Sequence, residues 1–395
     1  MEDTTNLLNI TGKAVSGEWG SEDPDGSGIP VLRTTNFTNE GEINYNDVVT
    51  RKIVKKNLKS KFLINGDIII EKSGGSEKQP VGRVVYFDGN ENTYLFNNFT
   101  GLLRVKDTKK WNSKYVFWSL YAAYKQGRTR LYQNKTTGLH NLKTDVYVRD
   151  MQIRNRDIED QVKIAYTLSK TREIIRKYKE KISKLDELVK ARFVEMFGDP
   201  VLNSQHYNLV KLSNLGTLAR GKSKHRPRND PQLLGGPYPL IQTGEITNSD
   251  TFIKKFTNTY SELGLQQSKL WPKGTLCITI AANIAQTAIL TFDACFPDSV
   301  VGFIPENSDI TPLYLHYWFS FFQKIIDSQA SQVAQKNINL KVLSNLQVML
   351  PPKNKQSEFA SFVQQVDKSK FENIVYLNKT LSSKILSQLG DAIRD

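Results

Sequence analysis

Residues 161–200 read QVKIAYTLSKTREIIRKYKEKISKLDELVKARFVEMFGDP, and this stretch decides the architecture. Neither glycine nor proline interrupts the chain from Asp157 to Phe197. Ile164, Leu168, Thr171, Ile175, Tyr178, Ile182, Leu185 and Val189 recur at alternating steps of four and three. That spacing keeps one stripe on one side of a helix, as in a coiled-coil seam. Lys, Arg and Glu take the other faces, and Gly198-Asp199-Pro200 supplies a glycine cap followed by a breaker. The spacing predicts one long helix over about Asp157–Phe197. A second such stretch follows Pro351-Pro352, over about Gln356–Leu389, with Phe359, Phe362, Val366, Ile374, Leu377, Leu381, Ile385 and Leu389 as its apolar stripe. Neither stripe can be hidden alone, so the two helices are expected to pair antiparallel. Ile175, Ile182, Leu185 and Val189 would face Leu377 and Leu381.

Each helix is preceded by a mixed, turn-rich segment. In the first, strands are expected at Ile29–Leu32, Ile68–Ile70, Val81–Phe87 and Gly101–Val105, with an aromatic helix over Lys114–Tyr124. In the second they are expected at Tyr238–Gln242, Leu276–Ile280, Ala288–Phe292 and Val300–Ile304. The two segments match in order. Ile29-Pro30-Val31-Leu32-Arg33-Thr34 pairs with Tyr238-Pro239-Leu240-Ile241-Gln242-Thr243, and Asn65-Gly66-Asp67-Ile68 with Lys273-Gly274-Thr275-Leu276. Phe87-Asp88 pairs with Phe292-Asp293, Asn141-Leu142-Lys143 with Asn339-Leu340-Lys341, and Gln161 with Gln356. The separation between copies shrinks steadily along the chain, as small deletions between two copies of one unit would produce. The expected fold is α+β: two similar heads of mixed sheet with short helices, separated by two long antiparallel coiled-coil helices, in a pseudo-twofold repeat. The boundaries fall at residues 1–152 for the first head, 153–198 for the first spacer helix, 199–352 for the second head and 353–395 for the second spacer helix. At a rise of about 1.5 Å per residue, some 40 helical residues span roughly 60 Å. Such a body suits two different half-sites on a duplex.

The net charge of +14 and pI near 9.4 favour a polyanionic partner. Apolar residues at 39% allow proper cores. Two cysteines, Cys277 and Cys295, provide no disulfide framework and fit a reducing cytoplasm. No apolar run is long enough for a membrane span, and the amino terminus lacks the pattern of a secretory signal, so a cytoplasmic location with no membrane is expected.

Over essentially its whole length the chain resembles the specificity subunit (HsdS) of type I restriction–modification enzymes. The resemblance rests on Gly28–Thr34 with Asn65–Ile69, on Leu218-Ala219-Arg220-Gly221-Lys222 with Tyr238–Ile241, and above all on Phe193-Val194-Glu195-Met196-Phe197-Gly198-Asp199-Pro200. It implies that each head is a target-recognition domain reading one part of a bipartite, asymmetric double-stranded DNA site. It implies further that the helices are the spacer and dock two methyltransferase subunits, joined by restriction subunits, in host defence. S-adenosylmethionine, ATP and Mg would then belong to those partner subunits, with no cofactor in this chain. The rival reading is a protein-assembly scaffold that works through its coiled coil and needs no DNA.

The residues themselves offer no catalytic constellation. The one Pro-Pro, in Leu350-Pro351-Pro352-Lys353, lacks the neighbours of an amino-methyltransferase loop, and no Gly-rich phosphate loop occurs. Pro297-Asp298 is not followed by the acid-x-Lys of a metal-dependent nuclease, and His140, His206, His225 and His316 lie far apart. No catalytic or metal-binding residue is expected. Three kinds of segment are candidates for DNA contact, through phosphates or through base edges. One is the basic loop with Arg220, Lys222, Lys224, Arg226 and Arg228. Another is the pair of inter-strand loops, with Lys72, Ser73, Lys78 and Gln79 in the first head and Asn283 and Gln286 in the second. The third is the polar text after each aromatic helix, with Arg128, Arg130 and Lys135, then Gln335 and Lys336. Trp111, Trp118, Trp271, Trp318, Tyr115 and Tyr314 are expected in cores rather than on base-stacking platforms.

Overall fold

The computed structural model describes residues 3–55, 57–77, 79–136, 139–281, 284–322, 325 and 338–377. The chain forms two compact units, Met1–Glu180 with Asn373–Asp395 and Lys181–Glu372. Each contains one mixed head and a share of the long helices.

In the first unit, the antiparallel order is Val15–Ser16, Thr100–Leu103, Ile68–Glu71, Val84–Tyr86. The second unit repeats it as Gly216–Arg220, Val300–Pro305, Leu276–Thr279, Thr287–Leu290, then adds Phe252–Ile253. The smaller sheet is repeated too. Val49–Arg51, Ile29–Leu32 and Leu95–Phe96 correspond to Asn258–Tyr260, Leu234–Leu240 and Ala294–Cys295, with the last pair parallel in both units. Thr4–Asn6 pairs with Gln152–Arg154 as Leu209–Lys211 pairs with Gln347–Met349. Ile68, Ile69 and Ile70 are fully buried, as are Leu276, Cys277 and Ile278, which is why these runs read as apolar without alternation. The turn before each run passes through a left-handed glycine, Gly66 at φ 100° and Gly274 at φ 89°.

Each head carries its aromatic helix, Ser113–Lys125 and Pro312–Phe319, capped by Asn112 and Thr311 through the amides of Tyr115 and Tyr314. The two tyrosines are buried and donate to the carbonyls of Arg154 and Met349. A buried glutamine near the start of each long helix completes the correspondence. Gln161 accepts from the Asn112 amide and donates to the carbonyls of Lys110 and Arg156. Gln356 accepts from the Thr311 amide and donates to the carbonyls of Asp309 and Pro351. Satisfying three backbone groups from one enclosed amide fixes each helix to its head. This repeated clasp is specific evidence of duplication, and it aligns Gln161 with Gln356 as expected. One expected match is not kept: Asn141 lies in a strand and meets Ser73, whereas Asn339 caps the helix Leu340–Asn345.

The first long helix runs Ile158–Phe197 and ends at Gly198, whose φ is 76°. Leu168, Thr171 and Val189 are buried, Ile164, Ile175, Tyr178, Ile182 and Leu185 are half-buried, and Val162, Tyr166 and Leu188 are exposed. The seam is therefore the heptad read from the sequence. The second runs Lys353–Tyr376 within the described residues. In the second unit the helices are antiparallel: Arg192 pairs with Glu358 at 3.0 Å, Phe193 packs edge-on against Phe359, and Asp186 meets Lys370. In the first unit Tyr178 stacks on Tyr376.

The expected stripe of the second helix needs correction. Its buried positions are Phe359, Val363, Val366, Lys370 and Asn373, while Phe362 is only half-buried and Ile374 is exposed. Steps of four and three from Phe359 arrive at polar residues, so a stripe traced through apolar letters drifts off the seam. Lys370 is tolerated there because its ammonium reaches the Asp186 carboxylate. Leu377 is half-buried; Leu381, Ile385 and Leu389 lie outside the described residues.

Aromatic packing joins the second unit's parts. Phe193 and Phe197 of the first long helix, Tyr314 and Tyr317 of the aromatic helix, and Phe359 of the second long helix lie 5.0–5.5 Å apart in successive pairs. Each such pair adds about 0.5–1.5 kcal/mol beyond burial. Beside them, the His316 Nδ1 shares a 3.0 Å hydrogen bond with the Thr287 hydroxyl. Burial, then the nearby Lys370 and Lys190 charges, hold its imidazole down to about 4, against the hydrogen bond to Thr287. The unfolded chain, with His near 6.5, therefore takes up a proton that the folded one refuses. The stability of the second unit should fall as pH is lowered from about 6.5 towards 4, and His316→Gln should flatten that slope. Urea midpoints measured across this window check it; an equal slope in the variant would remove His316 as a cause.

Candidate nucleic-acid interface

The first head brings two candidate segments together. Ser73–Gly75 adds as a third strand to the hairpin Gln133–Thr136 and Leu139–Leu142. The Ser73 hydroxyl donates to Asn141, and Arg130 donates to the carbonyl of Glu77 at 3.4 Å. The inter-strand loop and the polar text after the aromatic helix are thus one surface. Arg128 and Arg130 lie in the 3-10 turn Arg128–Tyr132, the second of them exposed. Lys135 is in the hairpin backbone; its side chain and all of Lys78 lie outside the described residues.

Beneath this surface is an anchor that the sequence did not announce. Arg83 makes two bonds to the Glu71 carboxylate, at 2.9 and 3.0 Å, and donates to the carbonyls of Thr34 and Phe37. Gln79, with its amide oxygen inward, accepts from Arg83 at 2.9 Å. This amide is engaged with its own loop. Lys72 is tied more loosely, donating to the Ser16 hydroxyl at 2.8 Å. Burial first and Lys61 second hold its ammonium below the usual lysine value, and Asp145 opposes them.

In the second head Arg220 ends a strand, and the basic loop leaves from Gly221. A Cβ there would lie 2.2 Å from the Phe296 carbonyl oxygen, and at Gly17 it would lie 2.2 Å from that of Phe96. Both loops start from one tight pivot that only glycine fits. Past the pivot the copies diverge in charge. The first loop carries Glu18, Glu22, Asp23 and Asp25, on which Lys55, Lys61 and Lys52 close; Lys55 and Lys61 hold the Glu18 carboxyl below its usual range. The second carries Lys222, Lys224, Arg226 and Arg228 on exposed positions. Gln267 accepts from the backbone amides of Lys224 and His225, giving this loop a defined path. His225 bonds Asp230 at 2.9 Å, and the Gln232 amide and His225 together lower the Asp230 carboxyl. Arg226 and Arg228 both reach Asp298.

Gln286 is exposed, and its backbone pairs with Thr279 across the second inter-strand loop. Asn283, Gln335 and Lys336 lie outside the described residues. The aromatics expected in cores are there: Trp111, Trp118, Trp271, Trp318, Tyr115 and Tyr314 are all buried. Among the described residues, no group of three or more His, Cys, Asp or Glu side chains could hold a metal ion. Cys277 and Cys295 are buried free thiols, pushed above their usual value by burial. Among the described residues, no helix is long and apolar enough to cross a membrane.

Residues 205–382 match the family model of the type I restriction modification DNA specificity domain. The chain is 20% identical over 362 residues to a putative type I restriction enzyme MjaX specificity subunit of Methanocaldococcus jannaschii, covering 89% of this chain and 83% of that protein. It is 29% identical over 133 residues, 32% of this chain and 28% of the other, to the type I restriction enzyme EcoBI specificity subunit of Escherichia coli. In fold it is similar to the type I restriction–modification S subunit from M. genitalium, with a TM-score of 0.58 at 15% identity, covering 99% of this chain and 96% of that one.

Proposed function

We propose that the chain, whose residues 205–382 match the type I restriction modification DNA specificity domain, is the DNA-reading, non-catalytic member of a type I restriction–modification complex. Each head reads one half of a bipartite, asymmetric duplex target. The long helices set the gap and dock two methyltransferase subunits, with restriction subunits joining them. S-adenosylmethionine, ATP and Mg belong to those partners. The observation that carries this reading is the repetition of one sheet topology in two heads whose projecting loops differ in sequence and charge. One ancestral reader, duplicated and diverged, gives two unlike half-sites.

The physics of the interface follows from the loops. Arginine and lysine on the irregular loop after Gly221 suit phosphates, which fix register, while amides and cations in the inter-strand loops suit base edges. Replacing Arg220, Lys222 and Lys224 together by Ala should weaken binding of every duplex, target or not. It should also reduce the slope of log affinity against log salt by about 0.9 for each phosphate that is no longer neutralised. Titration of the assembled complex with duplex DNA at several salt concentrations checks this. An unchanged slope would take the loop out of the interface, and full function without duplex DNA would favour the scaffold reading.

A further inference from the structure

We propose that Asp298 acts as an internal stand-in for a DNA phosphate, holding the basic loop of the second head closed until duplex DNA displaces it. The proposal deepens the DNA-reading assignment and rests on it. Arg228 Nη2 lies 2.5 Å from Asp298 Oδ1, and Arg226 Nη2 lies 3.7 Å from Oδ2. One carboxylate thus occupies the two guanidinium groups best suited to a phosphate, since the planar fork accepts either anion. The clamp is poised rather than locked. The arginine side chains are about half exposed and Asp298 is 38% exposed, and exposed ion pairs are weak.

The surrounding geometry fits a closed state of defined shape. Arg226 also donates to the carbonyls of Ser223 and His225. Gln267 ties down the backbone at Lys224 and His225. Asp298 sits in the turn just before the strand Val300–Pro305, one residue past the Pro297 carbonyl that crowds Gly221. The carboxylate is therefore fixed at the loop's pivot and does not ride on the loop. Among the described residues Arg220, Lys222 and Lys224 form no ion pair, so they remain available for first encounter. In the first head the corresponding text, Phe96-Asn97-Asn98, ends in an amide where Phe296-Pro297-Asp298 ends in an acid. There the loop itself is acidic and no clamp is called for.

On non-target DNA the clamp opposes binding, since a phosphate must displace Asp298 to engage the arginines. On the target, interactions made elsewhere favour the exchange. Asp298 thus lowers the affinity for every duplex whose phosphates must displace it.

Asp298→Asn, the residue found in the first copy, tests this in the assembled complex with a random-sequence duplex. The expected result is an affinity gain of about threefold to tenfold, the worth of one or two exposed pairs. The salt slope should steepen by up to about one unit. Adding Arg226→Ala and Arg228→Ala to the same chain should abolish the gain. If Asp298→Asn changes nothing while Arg226→Ala with Arg228→Ala weakens binding, the loop touches DNA and the clamp idea is wrong. If Asp298→Asn weakens binding, Asp298 positions the arginines instead, and the proposal again falls. If neither set of changes matters, the basic loop is outside the interface and the phosphate-contact reading fails with it.

Discussion

Arg83→Ala is expected to destabilise the first unit by about 3–5 kcal/mol, the usual consequence of stranding a buried charge. The Glu71 side chain is only 3% exposed and Arg83 12%, so water cannot take over the missing bonds. The same guanidinium carries the carbonyls of Thr34 and Phe37, which would be left without that donor as well. Burial disfavours the arginine charge, and the Glu71 carboxylate outweighs it, raising the guanidinium above its usual value. A double replacement separates the charge from the space it fills. Glu71→Leu with Arg83→Met removes both ions while keeping the volume, and should recover much of the loss. Denaturant unfolding of the single and double variants measures both. A loss under about 1 kcal/mol in Arg83→Ala would mean that Glu71 is hydrated or protonated, against the enclosed geometry. The effect should reach the interface, because Glu71 starts the inter-strand loop that carries Lys72, Ser73 and Gln79.

Much of the fold is legible in the amino acids because its strongest signals are local. A helix without glycine or proline, a strict heptad and a left-handed stop announce themselves over 41 residues from Asp157 to Phe197. Buried strands such as Ile68–Glu71 and Leu276–Thr279 stand out as short apolar runs between turn residues. Duplication shows because glycine at a left-handed turn, as at Gly66 and Gly274, has few substitutes. The clasping glutamines repeat for a similar reason: few side chains both accept one amide and donate to two carbonyls.

The remainder depends on residues that meet from far apart in sequence. Lys370 and Asn373 complete a seam, yet as letters they are polar, and their place follows only from register against Asp186 and its neighbours. Arg83 looks like an ordinary strand residue until Glu71, Thr34 and Phe37 converge on it. Asp298 reads in the sequence as a nuclease acid without the right neighbours; its actual partners, Arg226 and Arg228, precede it by some 70 residues. The candidate interface is legible as composition, basic and amide-rich loops in matching places. Which of those side chains are spent internally, as Gln79 is, is not. Even the false match of Asn141 with Asn339 has a physical origin. The same short polar text serves a sheet edge in one copy and a helix cap in the other.

Reading a gapped target requires that two readers share one spacer. Lengthening the spacer is therefore expected to have the largest functional effect of any change that leaves both heads untouched. One heptad added to each long helix, between Ile182 and Val189 and between Val363 and Lys370, preserves both seams because seven residues return each stripe to its own face. At about 1.5 Å per residue the insertion adds roughly 10 Å. Along a duplex, with strand phosphates about 3.4 Å apart, that is about three base pairs. Side chains that read bases would be unaffected, so the target should change only in its unread centre. Mapping methylated motifs in host genomes carrying the original or the lengthened gene, with its partner subunits, reads this directly. The expected pair of results is one gapped motif, then the same two half-sites with a gap about three base pairs longer. An uninterrupted motif, or a gap indifferent to helix length, would contradict the account.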